Sequence, residues 1–276
     1  MEKNNNKFSY LLNNEVLRGF KLLLPLYGLL LLSYLIKIIR SIFEMENRFQ
    51  NTLSNGGTVE SFLMNFNGQK IQLSHAFMSS DIIVFIMFAG IGITIIYTAF
   101  MWYREWFGNN KTIYMLMTLP VSRTKIIISK LISALIFFYT FICFEIIGLF
   151  ITKFSFDHIL SKEIMVKEPL FEMIKGSLIN QIFKFGVLDN LLSFLFLVSV
   201  TLVVFSATFI ERSYGKKGLL MGIVYGIMFI ALYIIVPNVI YLFSFERMIY
   251  ELSISIISII LNFFLSKYLL ERKVHV

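Results

Sequence analysis

The chain has 276 residues, 57% of them hydrophobic and only 15% charged, with a mean hydropathy of +0.76 and a net charge of +8. Soluble globular chains carry about 25% charged residues, so this composition excludes an ordinary soluble domain and points to a polytopic membrane protein. A single cysteine, Cys143, lies inside an apolar run, which excludes a disulfide framework within the chain.

Met1 to Lys7 is polar, and the first apolar run lacks a small-residue cleavage site, so no cleavable signal peptide is expected. Residues 8–19 mix Phe8, Tyr10, Leu11, Leu12, Val16 and Leu17 with Asn13, Asn14, Glu15 and Arg18. That pattern predicts an amphipathic helix at the inner membrane surface. A span needs about 20 apolar residues. The first is expected over about 20–39, with Pro25 near its start and Lys37 and Arg40 snorkelling at its far end. Residues 41–80 read as a polar external loop, with a turn at Ser54, Asn55, Gly56 and Gly57. The second span, about 82–102, carries Gly90, Thr94 and Thr98 on one packing face and ends at the interfacial rings Trp102, Tyr103 and Trp106.

The stretch from Tyr103 to Lys130 interrupts the apolar pattern. Arg104, Lys111, Arg123, Lys125 and Lys130 lie in it against the lone acid Glu105, which predicts a cytoplasmic loop. Within it, Thr112 to Leu119 presents Ile113, Met115, Leu116, Met117 and Leu119 among few charges. Those residues predict a short surface helix, stopped by Pro120, with Ser122 capping the helix that follows. Such a shape suits docking to a soluble partner.

This stretch resembles the ABC type-2 transporter permease family. The matching positions are Glu105, Thr112, Leu116, Leu119, Pro120, Val121, Ser122, Arg123 and Lys130. The chain departs from the family where many members have a glycine before the threonine; Asn110 and Lys111 stand there. The resemblance implies that about 104–122 is a coupling helix contacting a separate ATP-binding-cassette subunit. Arg104, Glu105, Thr112, Ile113, Leu116, Met117, Leu119, Pro120, Ser122 and Arg123 would then be its coupling residues.

The third span is expected over about 126–151, followed by an external segment, 152–189, in which Pro169 to Phe185 is amphipathic. The fourth span, about 190–210, leads to a tight internal turn at Glu211 to Lys217. The fifth, about 218–236, carries Gly218, Gly222 and Gly226 at four-residue spacing, which predicts close helix packing; Pro237 ends it. Residues 237–249 are too short to span and too apolar for a free loop, which suggests a re-entrant or outer-surface helix. The sixth span, about 250–268, bears a stripe of Glu251, Ser255, Ser258, Asn262 and Ser266, for which helix packing and a pathway lining both stand open. The expected fold is therefore all-α: one transmembrane domain over 1–276, with six spans, an N-terminal amphipathic helix and a cytoplasmic coupling helix.

Charge supports this layout. Internal segments hold fifteen basic and five acidic residues, external ones ten and eleven, and Glu145 lies within the third span. The excess places both termini in the cytoplasm of a multi-pass plasma-membrane protein. The basic pI thus follows from topology and needs no nucleic-acid partner.

Chemistry is sparse. His75, His158 and His275 have no histidine partner at helical spacing, and no phosphate-binding GxxxxGK[ST] loop occurs. No catalytic, cofactor or metal residues are expected, and ATP and Mg²⁺ would belong to the partner ATPase. Glu145, Ser258 and Asn262 are the candidate pathway or intramembrane polar groups. The resulting reading is a permease subunit of an exporter, without its own ATPase site, paired with a second identical or related chain in the bilayer. It would move an amphipathic or hydrophobic substrate such as a peptide, drug or lipid-linked molecule. An intramembrane enzyme, or a membrane scaffold or sensor, is the alternative. The charge asymmetry makes a direct prediction. In a Cys143→Ala background, cysteines placed at Asn55 or Lys167 react with an impermeant thiol reagent in intact cells, while those at Lys111 or Lys216 do not. Labelling at position 111 overturns the layout.

Overall fold

The computed structural model of the chain describes residues 2–73, 81–107, 122–176 and 186–272. These residues are almost wholly helical: α1 (Glu2–Ser54), α2 (Val59–Met64), α3 (Asp81–Phe107), α4 (Arg123–Ile159), α5 (Leu170–Gly176), α6 (Val187–Ile230), a π-helical turn (Ala231–Ile235), α7 (Val236–Val239) and α8 (Ser244–Arg272). Among them, five helical stretches are long and apolar enough to cross a membrane: Phe8–Ser54, Val84–Phe107, Arg123–Ile159, Val187–Val239 and Ser244–Arg272. The chain is a helical membrane protein.

Several boundaries differ from the sequence expectation. The separate N-terminal surface helix and the first span are one continuous α1 of 53 residues, about 80 Å at 1.5 Å per residue. Gly19 does not break it. The position is occupied by the Phe137 ring, which a Cβ at Gly19 would overlap. Pro25 sits inside α1 and lacks the N–H that would bond the Lys21 carbonyl, yet the helix passes through it. The polar segment after residue 40 is also helical, to Ser54. It stays so because Ile42 and Phe49 are buried on one side of it. In the same way α4 runs on to Ile159, since Phe156 and Leu160 are buried beyond the expected end of the span.

The chain divides into two compact units. One comprises Met1–Lys21, Gly92–Phe138 and Val187–Val276, the other Leu22–Ile91 and Tyr139–Gly186. In the second unit, Tyr27 packs on Phe141, and the Phe141 ring fills the space beside Gly90. Its core continues through Ile42, Phe49, Phe62, Ile71, Phe156, Ile164 and Met173. Glu46 accepts hydrogen bonds from the Ser161 backbone N–H (2.9 Å) and hydroxyl (2.6 Å), so one carboxylate closes the chain turn after α4. A single parallel bridge pairs Ile71 with Met165. Of the amphipathic segment expected over Pro169 to Phe185, α5 covers Leu170–Gly176, with Met173 buried; residues 177–185 lie outside the described residues.

In the first unit, α6 is interrupted at Gly215, whose φ of 59° and ψ of −135° belong to a region that only glycine adopts readily. The chain reverses there. Gly218 lies against Ile210 and Glu211, Gly222 against Ala207, and the Tyr233 ring is 4.5 Å from that of Phe196. These pairs keep antiparallel register, so Val187–Tyr214 and Lys216–Ile230 are two helices back to back. Gly226, expected on the same packing face, has nothing within 4 Å of a built Cβ and faces away. The expected re-entrant helix at 237–249 is absent as a separate element. Those residues are α7, a turn with Tyr241 at φ 52°, and the first residues of α8. Pro237 opens α7 instead of stopping a span, because a proline near a helix N-terminus lacks only an N–H that has no helical acceptor.

The α8 stripe packs. Asn262 donates to the Ser258 carbonyl and accepts from Tyr225 Oη at 2.7 Å, and Ser266 meets Ser206 Oγ at 3.0 Å. Ser255 donates to the Tyr233 hydroxyl at 3.4 Å, and Tyr250 donates to the Leu232 carbonyl in the π-helical turn at 2.6 Å. Glycine spacing on the returning helix therefore has a position-specific consequence. Gly222→Leu places a side chain 2.9 Å or less from the Ala207 carbonyl and costs about 1–3 kcal/mol through overpacking, whereas Gly226→Leu leaves stability unchanged. Paired thermal-unfolding curves of the purified variants in detergent check this; equal melting temperatures for the two would refute it.

Candidate functional site

The first unit holds a cluster of buried charge where the start of α1, the end of α3 and the start of α4 meet. Lys130 is 1% exposed and has three oxygen neighbours for its three N–H donors: Glu15 Oε1 at 2.7 Å, the Met101 carbonyl at 3.1 Å and Glu105 Oε1 at 3.5 Å. Glu15 also accepts from Arg104 Nη2 at 2.8 Å. Arg104 Nη1 donates to the Tyr97 hydroxyl at 3.3 Å, and Arg18 approaches Glu105 at 3.9 Å. Three cations thus meet two carboxylates. Glu105 is 1% exposed, while Arg18 keeps its outer face in solvent.

Helical spacing brings these groups together. Glu15 and Arg18 stand three apart on α1, so both face the same neighbours. Met101, Arg104 and Glu105 fall on one face of α3 at i, i+3 and i+4. The Trp102 ring, 0% exposed, covers the cluster, with the Lys130 ammonium 5.0 Å from its centroid. Trp102 in turn packs edge-on against Phe205 and Phe209 of α6, at centroid distances of 5.5 and 4.5 Å. Lys130, Glu15 and Glu105 are therefore held out of water beside the aromatic rings, which strengthens their pairs and makes any unpaired member costly.

The expected coupling residues divide between described and undescribed parts. Thr112, Ile113, Leu116, Met117, Leu119 and Pro120 lie outside the described residues. Arg104 and Glu105 belong to the buried cluster. Ser122 is exposed just before α4, and Arg123 donates from Nη1 to the Leu270 carbonyl of α8 at 2.9 Å. That bond satisfies one of the carbonyls left open at a helix C-terminus. Arg212, near the α6 reversal, stacks its guanidinium 4.0 Å from the Phe107 ring centroid and 5.0 Å from that of Trp106. Both chain ends bordering residues 108–121 are thus fastened within one unit. Phe107 and Glu105 hold the side before them; Arg123 and Lys130 hold the side after.

The other candidates separate. Glu145, in the second unit, is 8% exposed and makes no hydrogen bond or ion pair among the described residues. Ser258 and Asn262 spend their polar groups within α8 and on Tyr225, as helix packing requires. Gly218 and Gly222 line the α6 reversal, as above.

Sequence reasoning missed Glu15 and Arg18 as members of a site and treated Lys130 only as part of a motif. A usable signal was present: Lys130 is followed by an apolar span and preceded by Ile126, Ile127 and Ile128, so its charge had to find a partner. No family model, curated protein or solved structure matches the chain.

The cluster sets a measurable stability. Lys130→Ala leaves Glu15 and Glu105 short of a buried counter-ion and costs about 3–5 kcal/mol, while the double change Lys130→Met with Glu15→Gln recovers most of the loss. Tryptophan emission reports it directly, because the only two tryptophans, Trp102 and Trp106, lie in or beside the cluster. A single Lys130→Ala protein that melts like the unsubstituted one would remove the network from the account of stability.

Proposed function

We propose that this chain is the membrane-spanning permease subunit of an ATP-driven exporter, with ATP hydrolysed by separate cassette subunits. The observation that carries the reading is the resemblance of Glu105 to Lys130 to the coupling segment of ABC type-2 permeases. The anchoring of both sides of residues 108–121 supports it, because a segment that receives force from a soluble partner needs fixed ends. On this reading the chain crosses the plasma membrane six times. The Gly215 reversal divides Val187–Val239 into the fourth and fifth crossings, and both termini lie in the cytoplasm.

The mechanism follows from the anchoring. The apolar side of the 112–119 helix, Ile113, Leu116 and Met117, docks in a groove on the ATPase. Closure of the ATPase pair displaces that helix. Glu105 and Lys130 pass the displacement to α3 and α4, and Arg123 passes it to the last turn of α8. A second permease chain, identical or related, completes the pathway for an amphipathic or hydrophobic substrate.

Apolar anchors dominate the energy of such a contact, with rim charges contributing less. Leu116→Asp buries a charge without a partner and weakens ATPase binding by about 2–5 kcal/mol. After co-expression with a cassette ATPase, the ATPase should fail to co-purify with this variant, while the membrane protein keeps its yield and melting temperature. Arg123→Ala should retain the ATPase and lose transport. Normal binding and transport by Leu116→Asp would end the coupling reading.

A further inference from the structure

The second unit contains an open cleft of about 420 Å³ between α1 and the turn that follows α2. Its lining is rich in carboxamides: Asn65, Asn67, Gln69 and Gln72. Phe66 supplies a partly buried ring, and Lys70 is the one ionisable residue in the lining. None of these four carboxamide side chains, nor the Lys70 ammonium, makes a hydrogen bond among the described residues. The wall's backbone is nonetheless hydrogen-bonded. Phe66 and Gly68 N–H both donate to the Leu63 carbonyl, at 2.8 and 2.9 Å, and Gln69 N–H to the Phe66 carbonyl at 3.0 Å. Asn67 and Gly68, at φ 56° and 72°, turn the chain toward the isolated bridge at Ile71.

That bridge has a directional backbone. Ile71 donates its N–H to the Ile164 carbonyl at 2.8 Å and accepts from Val166 N–H at 3.0 Å. Successive residues of an extended strand point their peptide groups to opposite sides. With Ile71 committed to 164–166, the peptide groups of Lys70 and Gln72 point to the other side, where no backbone bond is made to them among the described residues. A free edge of two residues, spaced as in a β-ladder, thus borders the amide-lined cleft.

We infer that this cleft binds an extended peptide segment bearing an acidic side chain, which adds as a short strand along Lys70 to Gln72. The bound backbone exchanges N–H and C=O bonds with Lys70 and Gln72, the mode by which peptides join an open strand edge. Carboxamides, with both donors and acceptors, pair with the remaining peptide groups of the ligand. Lys70 takes the carboxylate, and Phe66 takes an apolar side chain. This site rests on the second unit alone and is independent of the permease reading.

The test uses the full-length protein in nanodiscs of neutral lipid, without any ATPase. The probe is the blocked pentapeptide VTEVT, followed by saturation-transfer NMR against empty nanodiscs. Saturable binding is expected with a dissociation constant of about 0.1–1 mM, the weak end of the affinity scale suited to a two-residue edge. Methylating alternate peptide nitrogens of the probe removes its ladder donors and should weaken binding about tenfold. Lys70→Glu should weaken VTEVT about tenfold and reverse the preference toward VTKVT. No signal above empty nanodiscs, equal binding of the N-methylated probe, or an unchanged preference in Lys70→Glu would each overturn the proposal. Failure here leaves ATPase co-purification unaffected, and failure of that experiment leaves peptide binding unaffected.

Discussion

A lysine ammonium with almost no access to water is the constraint on which the first unit depends. Removing such an ion from solvent costs several kcal/mol after relaxation, and only close, fully used hydrogen bonds offset it. Lys130 meets that requirement with groups drawn from two other helices. The start of α1 and the end of α3 must therefore both be in place for α4 to bury Lys130. Apolar packing alone would let these helices slide in register, since lipid tails solvate leucine about as well as a neighbouring helix does. The Lys130 pairs remove that freedom at one level along the three helices.

The same level borders residues 108–121. Charges fix the geometry, and aromatic rings exclude water from it: Trp102 covers Lys130, while Arg212 lies over Phe107. One consequence is that the two fastenings differ in kind. The Lys130 pairs with Glu15 and Glu105 are sensitive to charge and only weakly screened by salt, being buried. The Arg212 contact is a stacked cation with the ring of an exposed Phe107 and yields more readily to rearrangement.

Much of the architecture was legible because membrane spans announce themselves. Twenty apolar residues with interfacial Trp and Tyr leave little ambiguity about α3 or α8, and the polar face of α8 follows from Ser255, Ser258, Asn262 and Ser266 at helical spacing. What could not be read is what depends on distant partners. The helix through Gly19 and Pro25 read as two pieces, since the mixed polar pattern of residues 8–19 gives way to an apolar run; Phe137, more than a hundred positions away, is what fills the space at Gly19. Polar residues after position 40 looked like a loop for the same reason, because their burying partners Phe62 and Phe156 come later in the chain. Glu15 and Lys130 are 115 residues apart, and neither carries a local mark of the other. The three-glycine repeat was read as one face, yet Gly226 points away, since the reversal at Gly215 brings only the first two against their neighbour.

Arg123 and the carbonyl of Leu270 stand 147 residues apart, and their bond has a bearing on biosynthesis. Leu270 is synthesised 147 residues after Arg123. Until α8 has been made and inserted, the guanidinium of Arg123 has no such acceptor, and one side of the 108–121 segment is held only by Lys130. A chain lacking α8 therefore leaves the start of α4 without that anchor. Formation of this bond therefore waits on α8, however early the helices before it pack together.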